Sequence, residues 1–115
     1  MKQTWPHLLT AFLLMGGWAA FANRGHPMPA PLLAGLVQGC LSALITLGLK
    51  RLIEGLVPRL GVVLTVVVAW AISFSLLFTL HSLAGTPEVL LTLAIPNVVA
   101  TIYAALYATA LGRAT

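Results

Sequence analysis

Aspartate is absent from this chain, and glutamate occurs only twice, at Glu54 and Glu88. Without Asp there is no Ser-His-Asp triad, and a Glu variant finds only scattered partners. The usual carboxylate ligands for magnesium-dependent phosphotransfer are missing as well. No Gly-rich phosphate loop occurs. Cysteine appears once, at Cys40, so no intramolecular disulfide can form. Charge of either sign is scarce: 7% of the 115 residues are charged, against about 25% in soluble domains. Together these absences argue against an enzyme and against a resident metal or cofactor.

The chain is instead rich in apolar side chains, which make up 60% of it. A soluble fold of this size could not hide so much apolar surface. The few charges are Lys2, Arg24, Lys50, Arg51, Glu54, Arg59, Glu88 and Arg113. They bound four charge-free windows, 3–23, 25–49, 60–87 and 89–112, each at least 21 residues long. A helix needs about 20 apolar residues to cross a bilayer. The windows are continuously apolar rather than alternating, which favours helices over a barrel. The expectation is therefore an all-α polytopic integral membrane protein. A single domain, 1–115, would hold a bundle of four transmembrane helices at about 5–22, 30–50, 60–81 and 87–112, with an interfacial loop over 51–59.

The net charge of +4 follows from topology and needs no nucleic-acid partner. Lys and Arg gather in short cytoplasmic segments. Four helices put Lys2, Lys50, Arg51, Arg59 and Arg113 on one side and Arg24 alone on the other. Both termini are then expected in the cytoplasm. Compact size and short loops suggest a bacterial inner membrane. Residues 1–23 also resemble a secretory signal peptide, with Ala20-Phe21-Ala22 as an Ala-x-Ala site. The charged n-region is weak, and Gly16-Gly17 suits packing against another helix, so a retained helix is expected.

Helix two, Pro29 to Arg51, organises the rest. Gly35, Gly39 and Ala43 repeat every four residues along one face, a spacing that lets backbones approach closely in lipid. Gln38, Ser42 and Thr46 form the adjacent row, and a polar row within a membrane faces protein. In the segment that follows, Glu54 lies four residues after Lys50 and can pair with it on a helix surface. Helix three carries a small-residue stripe, Thr65, Ala69 and Ser73, and a central Trp70 whose indole N–H should seek a bundle partner. Thr86-Pro87-Glu88 reads as an N-cap followed by a first helical turn. In helix four, Pro96 removes the hydrogen bond to the Thr92 carbonyl and should kink the helix. Ala100, Ala104 and Ala108 form a second small-residue stripe.

Two clusters are candidates for function. Gln38, Ser42, Ser73, Ser75, Asn97 and Thr101 come out within the membrane, as glue between helices or as the lining of a polar cleft. Arg24, His26, His81 and Glu88 should meet at the outer surface. Two imidazoles and a carboxylate there are suitable zinc ligands, but they come from two loops without tight ligand spacing, and a His81–Glu88 contact sensitive to pH is another option. In size the chain resembles the small multidrug-resistance transporters, which pack four helices into a little over 100 residues. That family relies on a carboxylate in its first helix, and residues 3–23 have none, which argues against a proton-coupled antiporter. The leading expectation is a non-enzymatic inner-membrane protein acting by association, an accessory subunit or helper of a transport or envelope-assembly system. The alternative is a small homodimeric transporter or lipid flippase with its cleft near Gln38 and Asn97. Expected partners are the bilayer and either further copies of the chain or a larger membrane protein.

Overall fold

The computed structural model describes residues 4–114; Lys2, one of the residues used to orient the chain, lies outside them. Three helices account for nearly all of it: α1 (Thr4–Ala22), α2 (Ala30–Leu83) and α3 (Val89–Ala114). No strand occurs among the described residues. Both α2 and α3 contain stretches long and apolar enough to cross a membrane.

The count of separate helices and the loop over 51–59 differ from expectation. Helix continues from Lys50 through Leu60 rather than yielding to a loop. Two features sustain it. Lys50 Nζ donates to Glu54 Oε2 at 2.8 Å, one turn away, and Ile53 and Val57 bury one face against α3. The break comes at Gly61, with φ 80 and ψ 175, outside helical values. Such a backbone favours glycine. Pro58, which cannot donate to the Glu54 carbonyl, has already weakened the last turn before it.

Gly61 divides α2 into two arms, 30–60 and 62–83, that fold back on each other. A straight 54-residue helix would be about 81 Å long, yet the longest extent of the molecule is 51 Å. Gln38 and His81 lie 43 positions apart in sequence and are hydrogen-bonded. The chain thus runs up α1, down the first arm, up the second and down α3.

The core is built on small side chains. Ala104 and Ala108 of α3 meet Leu49, Ile53 and Val57 of the first arm and Ala69 of the second. Higher up, Leu41, Leu77 and Leu93 form a second cluster. Between α1 and the first arm the backbones almost touch: a Cβ on Gly16 would lie 2.8 Å from the Gly35 carbonyl oxygen. One on Gly39 would lie 2.9 Å from the Phe12 ring. A side chain at Gly16 would need a shift of the helix backbones, and one at Gly39 a shift of the Phe12 ring.

All the charged residues described fall at two ends of this bundle. Arg24, His26 and Glu88 mark one end, beside the Asn23 and His81 turns. Lys50, Arg51, Glu54, Arg59 and Arg113 mark the other, where Glu54 meets Tyr107 and a Cβ on Gly112 would touch Val62.

Candidate functional site

A chain of side-chain hydrogen bonds runs from the turn after α2 into the middle of the bundle. Gln38 Nε2 donates to Ser42 Oγ at 2.8 Å. The Gln38 Oε1 atom can only accept, so His81 must present Nε2–H to it, at 2.7 Å. The other nitrogen of the neutral imidazole, Nδ1, then accepts from the Thr86 hydroxyl at 2.8 Å. Gln38 and His81 are each 0% exposed. The network assigns one tautomer to His81 and connects the second arm of α2 to the first.

This placement corrects the expected outer cluster. His81 is buried among polar partners rather than displayed beside Glu88. The reason is its position in the buried row Thr65, Ala69, Ser73, Leu77 and His81, one residue every four along the second arm. Helix extends past His81 to Leu83, and the chain then turns at Gly85, with φ 75. There the Gly85 N–H bonds the Ser82 carbonyl and the Thr86 N–H bonds the His81 carbonyl. The histidine that meets Glu88 is His26, at 2.7 Å between Nε2 and Oε2. Arg24 turns away from the carboxylate, donating to the Phe21 carbonyl and lying over the Phe21 ring.

Thr86 likewise differs from the expected N-cap, because its hydroxyl is committed to His81. The residue that caps α3 comes from elsewhere in the chain. Asn23 Oδ1 accepts from the Glu88 backbone N–H at 2.9 Å, and its Nδ2 donates to Thr92 Oγ1 at 2.7 Å and to the Ala19 carbonyl at 2.8 Å. One amide thereby joins the end of α1 to the start of α3. Nothing local in sequence marks Asn23 for this role; it reads as a turn residue.

Trp18 makes the other join. Its indole N–H donates to the Leu91 and Thr92 carbonyls at 3.2 and 3.1 Å. Pro96 cannot supply the helical N–H that Thr92 would otherwise accept. Trp70, expected to hold such a partner, lies at the surface and stacks on Phe74, 5.4 Å between centroids.

The remaining membrane-cluster residues do not form one site. Ser73 is buried on the second arm. Thr101 and Thr46 each donate back one turn, to the carbonyls of Asn97 and Ser42. Ser75 is exposed. Asn97 is buried, and its Nδ2 has no hydrogen-bond partner, nor does Thr65 Oγ1. Of the small residues, Gly35 and Gly39 lie against α1, Ala104 and Ala108 are fully buried in the core, and Ala100 packs against it. Ala43 is half-buried.

At the opposite end, Glu54 accepts from both Lys50 and the Tyr107 hydroxyl. Lys50 holds the carboxylate below its ordinary range, with Tyr107 adding to the effect; the same pairing raises Lys50. Tyr107 stacks on Tyr103 at 5.8 Å. Just beyond, a cavity of about 210 Å³ lies between α1 and α3, floored by the first arm.

Among the described residues no group of three or more His, Cys, Asp or Glu side chains is placed to hold a metal ion. No protein-family model, curated protein or solved structure matches this chain.

Proposed function

We propose that the chain is an integral membrane protein that crosses the bilayer four times and acts by association, as an accessory subunit or helper of a larger membrane system. The crossings are α1, the two arms of α2, and α3. One observation carries the reading: polarity is inverted relative to a water-soluble fold. The sealed interior holds Asn23, Gln38, Thr65, Ser73, His81 and Thr92, while Val63, Leu83 and Leu106 are 76, 78 and 70% exposed. Lipid tolerates such a surface, and hydrocarbon penalises unpaired polar groups, so they turn inward. With Gln38 and His81 satisfying one another, the interior is largely closed. Outer helix faces are then the surfaces left for recognition. The basic end, with Lys50, Arg51, Arg59 and Arg113, belongs in the cytoplasm with both termini, and the compact form suits a bacterial inner membrane.

Single cysteines at Gly55 or Arg59, in a Cys40→Ala background, should react with an impermeant maleimide only from the cytoplasmic side. A cysteine at Gly25 should react only from outside. Purification from native membranes should yield a different membrane protein in fixed ratio to the chain. A stable homo-oligomer that moves solute in liposomes would instead support the transporter alternative. Its one favourable observation is the unpartnered Asn97 Nδ2 beside Pro96.

A further inference from the structure

The helices α1 and α3 share the smallest interface of the three helix pairs. Their hydrogen bonds cluster at one end, through Trp18 and Asn23. Toward the basic end the groove of about 210 Å³ separates them. Leu14 and Met15 form one wall, Val99 and Ala100 the other, and Ile45 and Leu49 the floor. The lining is predominantly apolar, and of its hydroxyls Thr46 donates to the Ser42 carbonyl while Ser42 Oγ accepts from Gln38. An occupant of this groove must therefore be apolar and narrow.

The mouth has a different character. Leu49 of the floor is followed by Lys50, and Tyr103 of the wall stacks on Tyr107. Glu54 uses one donor of the Lys50 ammonium, which has three. Arg51, Arg59 and Arg113 add positive charge at this end, against Glu54 as the one acid there. Tyrosines at headgroup depth and unspent basic donors match a phosphate above an aliphatic chain. We propose that the groove binds one acyl chain of an anionic phospholipid from the inner leaflet, with its phosphate beside Lys50. This inference rests on the membrane reading above. Its ligand differs from the protein partner proposed there.

The test uses the full chain. Alkaline extraction of membranes comes first: release into the soluble fraction overturns the membrane reading and this one with it. Integrated protein is then purified in mild detergent, exposed to phosphatidylglycerol or phosphatidylcholine, and weighed by native mass spectrometry. The expected result is one retained lipid per chain, with phosphatidylglycerol preferred. Lys50→Gln should reduce that preference about fivefold while leaving phosphatidylcholine retention unchanged. Val99→Phe, which fills the groove from its exposed rim, should abolish retention of both, and Leu106→Phe on the outer face of α3 should abolish neither. Thermal unfolding checks that the variants remain folded. Equal retention by Val99→Phe and the unaltered chain would overturn the proposal. So would a second copy of the chain, in place of lipid, that Val99→Phe displaces.

Discussion

The Trp18 indole donates to the Thr92 carbonyl, the acceptor that Pro96 leaves without a helical partner. The proline in α3 and the docking of α1 are therefore linked through one carbonyl. Trp18→Phe should strand this carbonyl and destabilise the protein by about 1–3 kcal/mol. Pro96→Ala restores the helical donor, so Trp18→Phe should cost less in its presence. Unfolding of both single variants and the double variant measures the coupling, expected at about 0.5–3 kcal/mol. Additive effects would mean that Trp18 does not compensate for the proline.

The two membrane amides should respond differently to removal. Gln38→Leu takes away the acceptor of His81 and the donor to Ser42, leaving buried groups unpaired, and should cost about 1–3 kcal/mol. Asn97→Leu removes an amide whose Nδ2 already lacks a partner, so stability should hold or rise. Thermal unfolding beside a cellular phenotype checks both. A stable Asn97→Leu protein that has lost function would move Asn97 from packing to a working role.

Gly61 carries the reversal of α2. Gly61→Ala should destabilise by about 1–3 kcal/mol, the cost of holding a side chain in this backbone region. Gly55→Ala meets nothing within 4 Å and has helical backbone, so it should be neutral or stabilising by about 0.5–1 kcal/mol. Matched losses for the two would show that the arms reverse somewhere other than Gly61.

At the α1 crossing, Gly39→Leu should cost about 1–3 kcal/mol by overpacking against Phe12. Leu41→Ile, a swap of equal volume in the core, should stay below about 1.5 kcal/mol. Stability in detergent separates them, and equal tolerance would place Gly39 toward lipid.

For Glu54, the sign of the pH dependence follows from its pairing. Lys50 and Tyr107 favour the ionised carboxylate, so its titration midpoint in the folded protein should lie below the ordinary value. Stability from this pairing is present above the unfolded-state midpoint and is lost as pH falls through the folded one. Carbon-detected NMR of the carboxylate should show the depressed midpoint, and Lys50→Gln should raise it. An unchanged midpoint in that variant would mean the Lys50 contact is absent in solution.

Charge spacing and apolar length determined by themselves that this chain is helical, with long apolar segments, because few other arrangements can hide backbone polar groups in so apolar a sequence. The i, i+4 rule likewise made the Lys50–Glu54 pair and the small-residue faces legible. The partners that close the interior came only with tertiary structure. Whether His81 faced outward with Glu88 or inward to Gln38 turned on how far α2 extends past it and where Gly85 ends it. Asn23 caps a helix 65 residues away in sequence, and Trp18 rather than Trp70 found an acceptor. Sequence position identifies which groups need hydrogen bonds in an apolar setting. The folding of α2 at Gly61, which brings distant turns together, decides which groups supply them.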